Sequence, residues 1–204
     1  MSSARLLMAD ADAVAQADLD RFRCCLSVGE QARCQRFVRA QRLRQFVVGR
    51  VLARHALGAL LGVPWREVLL EEQVAGAPLL TAPATVGVKP SFSIAHSGRW
   101  VACAVSATTA LGLDIELLDG SRDLDALAVQ AFEAPEMKQW QAQQGLPQAQ
   151  RVAGFYQLWS EKEARFKLGS DGYTLALAHA ELSVVLCSAR PLVEAPETEV
   201  VRLA

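Results

Sequence analysis

The 204-residue sequence predicts an α+β fold on three observations. Each half carries a long helical pattern. The strand candidates are short, mostly antiparallel and grouped around turn signals, so they do not alternate one for one with helices as in a doubly wound sheet. The small-residue stretch Ala107-Thr108-Thr109-Ala110 divides the chain almost evenly. With 51% hydrophobic residues there is enough apolar surface for a real core, in one large domain or two subdomains.

Taken in chain order, residues 30 to about 61 read as one helix, because Leu43, Val47 and Val51 recur at i, i+4 with Phe46 beside them. Gly62 and Pro64 stop it. Residues 67–80 read as a strand pair broken at Gly76-Ala77-Pro78, and 81–90 as a loop. SFSIAHSGRWVACAVS predicts strands at 91–95 and 100–106, with His96-Ser97-Gly98 in the turn. LGLDIELL, 111–118, is a further strand. Residues 123–145 and 150–168 are helical, the second ended by Gly169 and Gly172, and the tail from Glu181 predicts two strands around a proline-containing loop.

The formal net charge of −1 argues against a general nucleic-acid binder. No apolar run approaches the roughly 18 residues a membrane span needs, and the N-terminus lacks the apolar region and cleavage site of a secretory signal. Five cysteines, odd in number and without C-x-x-C spacing, fit neither a disulfide framework nor a zinc site, and a reducing cytoplasm is expected. The near-neutral average hides a local bias. No acidic residue occurs between Glu30 and Glu67, whereas Arg33, Arg36, Arg39, Arg42, Arg44, Arg50 and Arg54 all fall there. Such separation points to an anionic partner, or to a solvated helix face.

Three short stretches carry chemistry. In GLDIELLD, Asp114 and Glu116 lie two apart on a strand and face one side. Adjacent carboxylates repel unless a cation or proton lies between them, and an oxygen-only pair suits a hard ion such as Mg²⁺. A solvated strand face is the plainer reading. In WSEKEARFK, Glu163 and Lys167 share a helix face at i, i+4, which also fits a surface ion pair, but the aromatic surroundings of Phe155, Tyr156, Trp159 and Phe166 predict a packed helix whose charges have partners. In SFSIAHSGRW, His96 is followed by Ser97 and Gly98, a polar turn able to hold phosphate oxygens. No nucleophile elbow, Walker loop or dinucleotide fingerprint is present.

In this order SIAHSGRW, GLDIE and WSEKEARFK resemble the signatures of the 4′-phosphopantetheinyl transferases of the long, surfactin-synthetase-activating type. RCQRFVRAQRLRQFVVGRVLARHAL resembles that family's upstream basic helix, so the resemblance covers roughly residues 30–175. It implies two similar subdomains, 1–108 and 109–204, each a small sheet with packed helices, related by a pseudo-twofold axis, in a cytoplasmic monomer. Coenzyme A would lie in the cleft between them. The implied activity is Mg²⁺-dependent transfer of phosphopantetheine from coenzyme A to a serine of an apo acyl or peptidyl carrier protein, releasing 3′,5′-ADP, with Mn²⁺ as the alternative ion. No nucleic acid or membrane partner is implied.

Matched residue by residue, Asp114, Glu116 and Glu163 would be the metal ligands, and Glu163 the base for the carrier serine. Lys162 and Lys167 would meet the pyrophosphate. His96, with Ser93 and Ser97, would hold a coenzyme A phosphate, and Arg33 the 3′-phosphate. The helix around 123–145 would face the carrier. Ala77 stands where the family often has the lysine of G-K-P, with Lys89 the nearest replacement, one glycine after the third signature is shifted, and the C-terminus looks short for the last strand of the second sheet. The alternative readings are a non-catalytic coenzyme A or carrier-binding module of the same fold, and a Mg²⁺-dependent phosphotransfer enzyme for another nucleotide.

Overall fold

The computed structural model of the chain describes residues 2–74, 76–84 and 90–204, so Lys89 lies outside the described residues. Strand β1 (Arg5–Asp10) leads through a short 3-10 turn to helices α1 (Gln16–Cys24), α2 (Val28–Cys34) and α3 (Ala40–Leu61). A hairpin of β2 (Leu69–Glu71) and β3 (Leu79–Ala82) follows, then β4 (Ser91–Ser97), β5 (Trp100–Ser106) and β6 (Leu111–Leu117). The second half continues with α4 (Leu124–Ala131), α5 (Ala134–Gln141), α6 (Gln148–Leu168), β7 (Tyr173–Leu177), β8 (Leu182–Ser188) and β9 (Thr198–Val200). The α+β class expected from the sequence is the class observed.

Two sheets form the centre. One has the order β4-β5-β1-β9, antiparallel except for the parallel β1–β9 pair, and the other is an antiparallel β6-β8-β7 sheet. Strand alternation sorts their side chains into layers. Leu7, Ala9, Val101, Cys103 and Val105 pack against Val47, Val51, Ala53 and Leu57 of α3. Their neighbours Leu6, Met8, Ala102 and Ala104 pack the opposite way, against Leu113, Ile115, Val184 and Leu186 of the second sheet. The outer face of that sheet meets α6 through Val185, Cys187 and Ala164. The chain is thus layered as helix, sheet, sheet, helix.

Close contact of α6 with β6 depends on Gly112. A Cβ there would stand 2.0 Å from the Ala164 carbonyl oxygen and 2.6 Å from the Leu168 nitrogen. Gly169, in the left-handed region at φ 78°, closes α6 by donating its N–H to the Arg165 and Phe166 carbonyls.

Several elements differ from the sequence expectation. The single helix over 30–61 is two helices, because the chain turns after Cys34 and Phe37 packs on Phe46 with ring centroids 5.2 Å apart. The helix over 123–145 is also two. Pro135, which has no N–H to continue α4, lies in the first turn of α5 behind a capping box of Glu133 and Glu136. His96 and Ser97 are strand residues, and only Gly98-Arg99 turn. Thr81 and Ala82, expected in a loop, belong to β3. The last strand joins the first sheet, where β9 pairs with β1. Among the described residues no helix is long and apolar enough to cross a membrane.

Candidate active site

Strands β4 and β6 lie side by side at the seam between the two sheets, joined by serines. Ser91, Ser93 and Ser97 each accept, at 2.9 Å, the backbone N–H of Leu111, Leu113 and Leu117 respectively. The constant offset of 20 residues means the strands run in step. At the intervening rung Ala95 packs with Ile115 in the shared core. This stitching sets the His96-Ser97 end of β4 beside the Asp114-Glu116 end of β6.

Glu116 accepts a hydrogen bond from the Ser97 hydroxyl, at 2.8 Å. Asp114, 5% exposed, turns toward α6. There Lys167 donates to Asp114 Oδ1 at 2.7 Å and to the Leu113 carbonyl at 3.0 Å. Among the described residues Asp114 Oδ2 is buried without a partner at hydrogen-bond geometry, as is the hydroxyl of Ser160, a fully buried residue of α6 that still lies near enough to favour the ionised Asp114. Burial pushes the Asp114 carboxyl above the ordinary carboxylate range, with Lys167 pulling against it. Burial raises Glu116 too, and the Asp114 charge adds to it, while Ser97 opposes.

His96 faces the other side of β4. Arg42 Nη1 lies 3.2 Å from His96 Nδ1. A guanidinium only donates, so Nδ1 accepts and the ring proton resides on Nε2. Burial and the Arg42 charge hold His96 below its ordinary value. Gln45 donates to the Gly98 carbonyl at 2.7 Å and ties the β4–β5 turn to α3.

These groups line a cavity of about 520 Å³ that includes Arg39, Arg42, His96, Ser97, Asp114, Glu116 and Lys167. It shares Arg42, Gln45, Ile94, His96 and Lys167 with a neighbouring cavity of about 460 Å³, lined also by Arg33, Phe37, Phe46, Arg50, Ser93 and Phe166. Together they make one trough, cationic along α3 and acidic at β6. It can take an elongated polyanion whose phosphates meet arginines and a lysine, with carboxylates at one end to hold a divalent cation or accept a proton.

The expected residues do not all gather there. Asp114, Glu116, Lys167, His96 and Ser97 line one cavity, and Arg33 and Ser93 the next. Glu163 is half-buried one helical turn before Lys167, and its charge acts on Asp114. Lys162 turns to the α4–α5 junction, where it donates to the Ala131 carbonyl at 2.7 Å and pairs with Glu133 at 3.2 Å. Ala77 lines the second cavity, so the family's lysine position is at the trough. Sequence reading named Arg42 and Arg50 only as members of a basic stretch and missed Gln45 and Glu72 as site residues. Their partners are distant in sequence, so no local spacing marks them.

A divalent cation fits the donor set. The orphaned Asp114 Oδ2 beside the Glu116 carboxylate offers hard oxygen ligands of the kind Mg²⁺ takes together with phosphate oxygens. Among the described residues no group of three or more His, Cys, Asp or Glu side chains gathers to hold a metal ion, so the carboxylates that offer ligands here are the Asp114 and Glu116 pair.

Comparison with known proteins gives the family. The family pattern described as 4′-phosphopantetheinyl transferase, N-terminal, matches residues 14–108. The 4′-phosphopantetheinyl transferase HetI of Nostoc sp. is 33% identical over 158 residues, 77% of this chain and 65% of that protein. A 4′-phosphopantetheinyl transferase of Bacillus subtilis is 30% identical over 159 residues, 78% of this chain and 66% of that protein. The transferase psf-1 of Bacillus pumilus is 30% identical over 170 residues, 82% of this chain and 67% of that protein. The chain therefore spans about two thirds of the length of these curated relatives. The match to psf-1, at this identity and over two thirds of that protein, settles kinship: the chain belongs to the 4′-phosphopantetheinyl transferase family.

Proposed function

We propose that this protein transfers the 4′-phosphopantetheine moiety of coenzyme A to a serine hydroxyl of an apo acyl or peptidyl carrier protein. The observation that carries the reading is the meeting of the Asp114, Glu116 and Lys167 cluster with an arginine-lined trough of elongated shape. Coenzyme A is an elongated polyanion, and the trough has cations along its length and carboxylates at one end.

In the reaction the carrier serine oxygen attacks the pyrophosphate phosphorus that bears the pantetheine. The bond from that phosphorus to the bridging oxygen breaks, the electron pair leaves on 3′,5′-ADP, and the serine proton passes to a carboxylate. Glu163, half-buried on the helix face that carries Lys167, is our assignment for that base. Lys167, held between Asp114 and the Leu113 carbonyl, is placed to neutralise charge on the leaving phosphate. Arg33, His96, Ser93 and Ser97 bind and orient the coenzyme A phosphates, and Asp114, Glu116 and Glu163 are the residues that would hold Mg²⁺ or Mn²⁺. When bound, the ion supplies further charge neutralisation on the pyrophosphate oxygens. Lys162, which here meets the Ala131 carbonyl and Glu133, we assign with Lys167 to the pyrophosphate. We further propose a cytoplasmic monomer with coenzyme A between halves 1–108 and 109–204, related by the pseudo-twofold axis.

The deciding experiment is intact-mass spectrometry of an apo carrier protein incubated with this chain, coenzyme A and Mg²⁺. A gain of one phosphopantetheine that EDTA abolishes is the expected result. No gain on several carriers, with coenzyme A still binding, would leave a coenzyme A-binding module.

A further inference from the structure

Behind the trough runs a chain of charges of which the proposed reaction uses only Arg33. Glu30, 0% exposed, takes both Nη groups of Arg54 at 3.1 and 2.6 Å and the Ser27 N–H at 2.8 Å. Arg54 therefore satisfies the Glu30 charge, and Arg50 reaches it only at 3.4 Å. Arg50, with its side chain 8% exposed, needs a second carboxylate. Glu72 supplies it: Oε1 accepts from Arg50 Nε at 3.0 Å and also from its Nη2. The other oxygen of the same carboxylate, Oε2, accepts from Arg33 Nη1 at 2.5 Å.

Arg33 needs that hold. It extends from α2, a helix of seven residues, and its side chain is 45% exposed. Left alone, a long stem at that exposure would sample many rotamers, and binding an anion would cost the entropy of ordering it. Glu72 on one side and the Phe46 ring, 5.3 Å from the guanidinium carbon, confine it to the trough mouth. Among the described residues one of its five N–H donors is used, which leaves others for an incoming oxyanion. Three arginines against two carboxylates leave the network one positive charge in excess, so it still attracts an anion. Burial alone would raise the Glu72 carboxyl, but Arg33 and Arg50 outweigh it and keep the group ionised.

We propose that Glu72 is a positioning residue: by pairing with Arg50 and Arg33 at once it aims Arg33 at the trough and so sets how strongly the site prefers a ligand with a terminal phosphate monoester over one without it. This rests on the reading that Arg33 meets the 3′-phosphate of coenzyme A. No local motif marks Glu72.

The test is calorimetric titration of coenzyme A and of 3′-dephospho-coenzyme A into wild type, E72Q, E72D and R33A, after melts confirm that each variant is folded. Wild type should prefer coenzyme A, and R33A should abolish most of that preference. E72Q should lower it about five- to tenfold, the scale of one ordinary net hydrogen bond, with 3′-dephospho-coenzyme A affinity unchanged. E72D keeps the charge for Arg50 but draws it back from Arg33, and should lower the preference as well. The double variant R33A/E72Q should show no loss of preference beyond R33A, because the effect runs through that arginine. Equal losses for both ligands, or a gained preference in E72Q, would overturn the proposal. Should E72Q fail to fold, an unchanged preference in E72D would overturn it. A wild type with no preference would instead remove the Arg33 reading itself, before any Glu72 variant is compared.

Discussion

At the level of single residues the Asp114–Lys167 pair is asymmetric, and the asymmetry can be measured. Asp114 is almost wholly buried and, among the described residues, one of its oxygens has no hydrogen-bond partner, whereas Lys167 keeps 30% of its side chain in solvent. Removing the carboxylate relieves a desolvated charge and strands only a lysine that can turn to water. Removing the lysine leaves the carboxylate without its counter-charge. Asp114→Asn is therefore expected to retain or slightly raise the unfolding free energy while lowering Mg²⁺-dependent transfer by about a hundredfold, the scale of losing one charge-stabilising group. Lys167→Ala should lose comparable activity and also about 1–3 kcal/mol of stability. Denaturant melts beside transfer rates distinguish the two, and unchanged turnover in Asp114→Asn would sink the metal assignment. Both residues were legible in the sequence, because a two-residue strand period and a four-residue helix period each put carboxylate and lysine on a defined face. Glu72 and Arg42 were not, since their partners lie 39 and 54 residues away at Arg33 and His96.

At the level of elements, two contacts hold the acidic strand in place, and each rests on an unremarkable residue. Gly112 lets α6 lie directly on β6, and Gly112→Ala would put a methyl carbon 2.0 Å from the backbone oxygen of Ala164. Helix backbone cannot rotate aside as a side chain can, so α6 must shift and carry Lys167 away from Asp114. We expect that variant to lose several kcal/mol, as overpacking of a backbone contact does, or to fold with transfer abolished. Wild-type melting and rates would refute the account. On the other edge, Ser93 is 7% exposed and satisfies the Leu113 N–H. Ser93→Ala should cost about 1–3 kcal/mol by leaving a buried donor unmade. The same elements show where sequence reading stopped. Strands β4, β5, β6 and β8 and helix α6 were plain from periodicity, and β1 and β7 were passed over. Within the helical stretches the breaks at 35–39 and 132–133 were not seen. The first is set by Phe37 reaching Phe46 and the second by a capping box, and neither disturbs the apolar repeat that signals a helix. Nor could a strand pattern say that β9 joins β1, since edge pairing is decided by the folded sheet.

For the whole molecule, the histidines make folding sensitive to acid. His55 is on α3, stacked on Trp65 with ring centroids 4.9 Å apart, and burial together with the Arg66 charge lowers its pKa. His96 is lowered by burial and Arg42. For both groups the folded pKa lies below the unfolded value of about 6.5, so the unfolded chain binds protons first as pH falls. Stability due to the neutral rings is fully present above about pH 6.5 and is lost as pH descends through the folded values, by at most about 1.4 kcal/mol per pH unit for the half-buried His55 and by less for His96, which is exposed and screened by solvent. Asp114 and Glu116 act in the opposite sense, because their raised folded values let the native state take up protons before the unfolded chain does. That recovery runs upward from about pH 4, where unfolded carboxyls titrate, and opposes the histidine loss wherever the two windows meet. The unfolding free energy should therefore be level from pH 8 to 7 and decline from about 6.5 toward 5. His55→Gln tests the assignment away from the site, since it keeps a polar ring-sized group on Trp65 and removes one titration. Urea melts at pH 7.5, 6.5 and 5.5 should show a shallower decline in that variant, and a decline as steep as in wild type would place the acid sensitivity elsewhere.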